Sequence, residues 1–155
     1  MLTLAEIISD KQIDWLETLP SAAPFRRIVA DDKLTLEAKA GYAMRRFELA
    51  YGADGTATRG RHSSDDDGLS FGQALVDLLY DLLCPDKKHE TEREDIRQSF
   101  QTGQAAFVAY ISTLVAPLLG TPVPPTSAAV AVVLSVVSKL GSGAWCASQS
   151  SQRSE

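Results

Sequence analysis

The sequence has few of the residues from which catalytic and metal sites are usually built. It contains two histidines, His62 and His89, which are far apart in the chain. His89 and Glu90 begin like the metalloprotease motif HExxH, but Arg93 occupies the position of the second histidine. The phosphate-binding motifs GxxxxGK[ST] and GxGxxG do not occur. We therefore expect a protein that is not an enzyme and that holds no cofactor or metal ion.

Cysteine is equally scarce. Cys84 and Cys146 are accompanied neither by a CxxC spacing nor by a set of neighbouring histidines. This pattern predicts two free thiols in a reducing compartment, with Cys84 serving as a small buried apolar residue. Glu6 and Asp10 interrupt the N-terminus before a basic region or a long apolar run appears, which is unlike a secretory signal. The expected location is the cytoplasm.

Basic residues are outnumbered, with 15 Lys and Arg against 20 Asp and Glu and a formal net charge of −5. Nucleic-acid binding depends mainly on Lys and Arg that neutralise phosphates, so this balance argues against a nucleic-acid partner. Two local exceptions are the pairs Arg26–Arg27 and Arg45–Arg46. We expect them to form solvated salt bridges with nearby acids, an anion site being the alternative.

Charge itself is missing from one long segment. From Gln98 to Ser138 the chain has no Asp, Glu, Lys or Arg, although 23% of all residues are charged. Almost all charged side chains precede this segment. Because so many apolar residues without charge are seldom left in water, the sequence predicts an acidic, solvated front and an apolar back that is shielded from solvent.

Helical periodicity dominates the rest of the sequence. Apolar spacing predicts one or two short helices within residues 4–19, and further helices over 24–30, 35–51, 70–84, about 90–118 and 128–144. Pro117 predicts a kink or an end near Thr113, and residues 120–125 predict a non-helical connection. The valine-rich last segment also suits a strand, but no second strand is visible to pair with it.

Residues 52–69 interrupt this pattern, because they are rich in glycine and contain no large apolar side chain before Leu69. They predict a flexible, exposed loop. Arg59 and Arg61 make this loop a candidate site of proteolytic cleavage. His62 with Asp65–Asp67 suggests a small enzyme or metal site, but a mobile loop gives such a site no rigid support.

Together these features predict an all-α, single-domain bundle of five or six helices with a charge-free C-terminal helical hairpin. The domain covers residues 1–147, comprising N-terminal helices (1–51), the loop (52–69), and a leucine-rich helix followed by the apolar hairpin (70–147). Residues 148–155 are expected to form a frayed tail.

The last helix of this hairpin is apolar or small on all sides, which is typical of a helix inside a bundle, in an oligomer interface or in lipid. Length disfavours a constitutive span, because each arm is shorter than the roughly 20 residues that a membrane helix needs. The segment 139–146 resembles the ends of apolar helices in small bacterial proteins, but a likeness over so few residues implies no function.

The expected function is that of a non-enzymatic interaction or regulatory protein, which self-associates or docks a larger protein partner through its apolar C-terminal helices. The expected contact residues are Val130, Val133, Leu134, Val137 and Trp145. The alternative is a membrane-active helical protein whose hairpin inserts in lipid after release, which would add membrane association to the cytoplasmic location. A small enzyme that uses the His62 loop is the third hypothesis.

Overall fold

The structure, a computed structural model, describes residues 4–9, 13–51, 65–84 and 90–153. Every regular element in these residues is helical, so the predicted all-α class is confirmed. The elements are α1 (Leu4–Ile8), a 3₁₀ helix (Trp15–Thr18), α2 (Ala23–Ala30), α3 (Leu36–Tyr51), α4 (Asp65–Leu83), α5 (Glu90–Ser99), α6 (Gln104–Leu119), α7 (Val123–Leu140) and α8 (Ser142–Arg153).

The described residues contain more helices than the five or six predicted, because glycine breaks two segments that we expected to be continuous. Gly103 separates α5 from α6, and Gly141 separates α7 from α8. Their φ angles are 137° and 89°, a region that residues with a Cβ atom rarely adopt. Periodicity alone did not reveal these breaks, since the apolar spacing continues on both sides of each glycine.

The predicted loop and tail are both shorter than expected. Helix α4 begins at Asp65, so the last part of the predicted 52–69 loop is helical, while residues 52–64 lie outside the described residues. Acidic residues at the start of α4 suit the positive end of the helix dipole. At the other end, α8 continues to Arg153, so residues 148–153 are helical rather than a frayed tail.

Prolines lie where a helix tolerates them. Pro124 and Pro125 occupy the first turn of α7, where backbone N–H groups have no intrahelical acceptor, so the predicted connection ends at Pro122. Pro117 does not end α6 near Thr113, because it lies in the last turn of the helix. It removes only the hydrogen bond to the carbonyl of Thr113, and Thr113 is an exposed residue that water can reach. Gly120, with φ of 68°, closes the helix.

Helix α7 is the centre of the bundle. It contacts α1, the 3₁₀ helix, α2, α3, α6 and α8. Every residue from Ala128 to Ser135 is buried. The hydroxyl of Ser135 donates to the carbonyl of Ala131 at 2.9 Å, so this polar group is satisfied within the helix. The middle of α7, within the charge-free segment, is therefore covered by the chain itself.

Small residues allow α3 to approach its neighbours closely. Its buried positions facing the core include Ala40, Gly41 and Ala43. Gly72 of α4 lies against the first turn of α3, where a Cβ atom would be 1.8 Å from the carbonyl oxygen of Glu37. The backbones of α3 and α4 can meet at this distance only because residue 72 has no side chain.

Long basic side chains satisfy the C-terminal ends of two helices. Lys39, only 9% exposed, donates its ammonium to the carbonyl of Val29 at 2.7 Å in the last turn of α2. Arg93 donates to the carbonyls of Asp81 and Leu82, both at 2.9 Å, and of Cys84 at the end of α4. The residue that breaks the HExxH pattern is thus a cap for the preceding helix.

The two cysteines form a disulfide, so the prediction of free thiols is wrong. Cys84 follows α4 and Cys146 lies in α8, and their Cα atoms are 5.7 Å apart. A wide separation in sequence does not prevent pairing when helices bring the two residues together. The expected reducing compartment rested on free thiols, and the disulfide removes that basis.

The first and last described helices are tied together by a hydroxyl group. Ser9, just after α1, accepts a hydrogen bond from the backbone N–H of Ser142 at 2.9 Å. Its hydroxyl also donates to Ser142 Oγ at 3.0 Å. Ser9 thereby satisfies one of the N–H groups that the first turn of α8 leaves without an intrahelical acceptor.

Candidate functional site: a cationic groove between α2 and α3

The residues predicted as the contact surface lie in the core. Val130, Val133, Leu134 and Val137 have no exposed surface, and Trp145 is 3% exposed and packs edge-on against Tyr80. In this conformation they form no surface that a partner could reach. Apolar composition indicated correctly that these residues are covered, but it did not distinguish cover by the chain itself from cover by another molecule.

Other predicted site residues cannot be placed. Arg59, Arg61, His62 and His89 lie outside the described residues. Asp65–Asp67 form the start of α4, and their side chains also lie outside the described part. Among the His, Cys, Asp and Glu side chains that are described, no group of three is arranged to hold a metal ion. The hypotheses of a cleavage site and of a His62 enzyme site remain predictions.

Exposed apolar side chains identify a different surface. The large apolar residues left exposed in the described part are Tyr42, Leu49, Leu118 and Leu140. Tyr42 is 44% exposed and Leu49 is 84% exposed, and both line one groove of about 470 Å³ between α2 and α3. We call this groove the α2–α3 groove. Its remaining lining residues are Arg27, Ile28, Asp31, Leu34, Arg45 and Arg46.

Helical geometry explains why these residues share one groove. Tyr42, Arg45, Arg46 and Leu49 are spaced by three, four and seven residues along α3, which places them on one side of that helix. The opposite side of α3 carries the buried residues of the core. On α2, Phe25 and Val29 are buried in the core, and Arg27 and Ile28 line the groove from the other side.

The groove carries a positive charge on a protein that is negative overall. Arg27, Arg45 and Arg46 line it together with a single acid, Asp31. The side chain of Asp31 accepts a hydrogen bond from the backbone N–H of Lys33 at 2.9 Å, which holds this carboxylate in the turn after α2. The guanidinium groups of Arg27 and Arg46 beside apolar side chains suit a ligand that combines carboxylates with apolar groups.

The two arginine pairs noted in the sequence have different roles. Arg26 forms an ion pair with Asp14, as the salt-bridge interpretation predicts. Arg27, Arg45 and Arg46 line the groove. The sequence signal for this site is the exposed face of α3, on which Tyr42 and Leu49 alternate with arginines. The apolar spacing used to predict α3 identifies only its buried face.

One described helix, α7, is long and apolar enough to cross a membrane by length and composition alone. It is longer than the arm predicted from the sequence, because it begins at Val123. However, 61% of its 18-residue span is buried within the chain, as in the core helix of a soluble bundle.

Comparison with protein-family models, with curated proteins and with solved structures found no match to this chain. The function is therefore inferred from the residues of the α2–α3 groove.

Proposed function

We propose that this protein is a non-enzymatic interaction protein that binds an acidic, amphipathic segment of a protein partner in the α2–α3 groove. The observation that carries the proposal is the combination of Leu49 and Tyr42, both exposed, with Arg27 and Arg46 in one groove. In this proposal the charge-free C-terminal hairpin forms the innermost layer of the bundle and acts as a scaffold.

The chemistry of the groove selects the partner. A groove lined by apolar side chains is a surface in which the apolar face of an amphipathic helix can dock. Leu49 would contact apolar residues of the partner, while Arg27 and Arg46 would pair with its carboxylates. Complementary charge also accelerates association and rejects basic partners.

Charge argues for a different protein as the partner rather than a second copy. A two-fold symmetric dimer through this groove would bring the same face of both copies together. The positively charged faces of the two copies would then meet, and this repulsion disfavours the dimer. We therefore expect the isolated protein to be a monomer of 16.7 kDa.

The proposal is tested with synthetic helical peptides. An acidic amphipathic peptide should bind, and a peptide with the same apolar residues but with Lys in place of Glu should bind at least about tenfold more weakly, which corresponds to about 1.4 kcal/mol. The affinity should fall as salt concentration rises, because exposed charges are screened. Isothermal titration calorimetry measures both effects.

Variants inside and outside the groove test whether the peptide binds in the groove or elsewhere on the surface. Arg46→Glu and Leu49→Ser should each weaken binding of the acidic peptide, while Leu118→Ser, which changes a leucine 71% exposed outside the groove, should not. Equal binding of both peptides, or equal effects of Leu49→Ser and Leu118→Ser, would contradict the proposal. A dimer in solution that Arg46→Glu dissociates would favour self-association instead.

A second candidate function is membrane insertion, which the length and composition of α7 favour. Insertion requires α7 to leave its contacts with α3 and α6. Flotation with vesicles that contain anionic lipid tests this function. Vesicle binding by the native protein that a Leu134→Glu variant loses would support insertion, whereas binding that Arg46→Glu loses would indicate attachment through the α2–α3 groove.

A further inference from the structure

A larger cavity lies outside the α2–α3 groove. It has a volume of about 650 Å³ and is formed by the 3₁₀ helix, α2 and the C-terminal part of α7. Small-molecule sites usually have volumes of roughly 300–1,000 Å³. Trp15, Leu16 and Val29 give the cavity a buried apolar lining. Arg26 and Lys139 also line it and are exposed, so the cavity reaches the surface.

Three hydrogen-bond donors of lining residues have no partner among the residues that the structure describes. The indole Nε1 of Trp15 is buried and donates to no acceptor. The hydroxyl of Ser138, a residue 8% exposed, makes no hydrogen bond, in contrast to Ser135 one turn earlier. The ammonium of Lys139 has no carboxylate partner within the described part of the chain.

A buried donor without a partner, such as Trp15 Nε1, is rare in folded proteins and calls for an explanation. Fold stability does not explain it, because a buried donor without an acceptor is destabilising. Among the described residues, the other buried indole without a partner, Trp145 Nε1, belongs to a residue that does not line this cavity. An acceptor brought by a ligand would satisfy the Trp15 indole that the fold leaves unpaired.

The charges of the cavity favour an anion. Asp14 supplies the carboxylate among the described lining residues, and it is already occupied. It accepts a hydrogen bond from the backbone N–H of Leu16 at 3.1 Å and forms an ion pair with Arg26. Lys139 is therefore left as the excess positive charge at the rim.

We propose that this cavity binds a small amphipathic anion, whose apolar body lies against Leu16 and Val29 and whose carboxylate accepts hydrogen bonds from Trp15 Nε1, Ser138 and Lys139. This site is independent of the α2–α3 groove. It would give the protein a second function, the binding of a small apolar carboxylate.

Decanoate is a suitable probe, and 1-decanol is its uncharged counterpart. The chain has two tryptophans, so its ¹⁵N–¹H NMR spectrum contains two indole signals, which a Trp145→Phe variant assigns. Decanoate should shift the Trp15 indole signal and leave the Trp145 signal in place. We expect 1-decanol to bind about tenfold more weakly, because it lacks the charge-assisted hydrogen bonds.

Variants test the proposed contacts. Lys139→Met should weaken decanoate binding about tenfold without changing the binding of 1-decanol, and Lys139→Arg should retain it. Ser138→Ala should have a smaller effect in the same direction. Leu140→Ser is the matched control, because Leu140 is an exposed neighbour that does not line the cavity. An unchanged Trp145 signal verifies that each variant is folded.

Three results would overturn the proposal. The first is that decanoate does not shift the Trp15 signal. The second is that Lys139→Met and Ser138→Ala both leave the affinity for decanoate unchanged. The third is that Arg46→Glu, in the α2–α3 groove, abolishes decanoate binding while Lys139→Met does not.

Discussion

Helix α7 is buried on every side from Ala128 to Ser135, whereas α3, which packs against it, is buried on one side and exposed on the other. By sequence, α7 is the more apolar helix and therefore the more obvious docking surface. In the folded chain the apolar groups of α7 from Ala128 to Leu134 are already covered, whereas Tyr42 and Leu49 of α3 remain exposed. Apolarity identifies what must be covered, while exposure in the fold identifies what is still available to a partner.

The largest effect on the free energy of unfolding is expected at Leu134 of α7, and truncation of Leu49 in α3 is the matched control. Leu134→Ala in α7 should lower the free energy of unfolding by about 2–5 kcal/mol, because it leaves a cavity in the core. Leu49→Ala in α3 should change it by less than about 0.5 kcal/mol, since the side chain is 84% exposed. Urea denaturation measures both values. Similar losses in the two variants would mean that the two helices do not differ as described.

Removing the disulfide between α4 and α8 measures how much it contributes to the free energy of unfolding. Its cysteines are separated by 62 residues, and for a loop of that size the chain-entropy model gives roughly 4 kcal/mol. We expect the double variant Cys84→Ser/Cys146→Ser to lose about 2–4 kcal/mol of unfolding free energy.

Reductant should destabilise the native protein by a similar amount and have no effect on the double variant. Thiol titration of the unfolded, non-reduced protein should detect no free cysteine. If two free thiols are detected and the double variant is as stable as the native protein, the disulfide is absent and the prediction of free thiols was right.

Glycine substitutions test the close approach of α3 to α4. Gly72→Ala should cost about 1–3 kcal/mol, because the new Cβ atom would overlap the carbonyl of Glu37 and the backbones would have to separate. Gly143→Ala in α8 is the matched control, since its Cβ atom would meet no other atom within 4 Å. It should stabilise the protein by about 0.5–1 kcal/mol through helix propensity. Thermal unfolding distinguishes the two, and a tolerated Gly72→Ala would show that α3 and α4 lie farther apart.

The smallest effect is expected at the exposed face of α5. Two hydrogen bonds lower the pKa of the Glu94 carboxyl. The larger contribution comes from Arg97, which donates to Glu94 at 3.0 Å, and the smaller from Gln98, which donates at 3.2 Å. The resulting stability is present above the ordinary carboxyl pKa of about 4 and is lost as the pH falls through the lower pKa of the folded state.

In an Arg97→Met variant, the pKa of Glu94 should rise toward its ordinary value, which NMR titration of the carboxyl carbon detects. Stability at neutral pH should hardly change, because exposed ion pairs contribute little. A large loss of stability at pH 7, or an unchanged pKa of Glu94, would contradict this assignment.

Sequence reasoning predicted the helical class and the burial of residues 128–135, because both follow from local periodicity and from the cost of exposing apolar surface. It overestimated burial in the rest of the charge-free segment, where Thr113 and Leu118 are exposed. It missed the roles of Gly72 and Arg93 and the pairing of Cys84 with Cys146. Each of these depends on a residue from another helix, and a single sequence does not show which helices become neighbours. The candidate site was missed for the same reason, since Arg27 and Leu49 meet only when α2 packs beside α3.

By itself, the sequence determined that the chain forms helices and that its charge-free segment contains apolar surface that needs cover, because charge and apolar spacing are properties of the residues themselves. Only the tertiary structure decided that the chain's own helices cover α7 and that Leu49 and Tyr42 stay exposed beside arginines. Burial is shared between surfaces that meet in space, so which apolar groups remain uncovered is settled only when the helices pack.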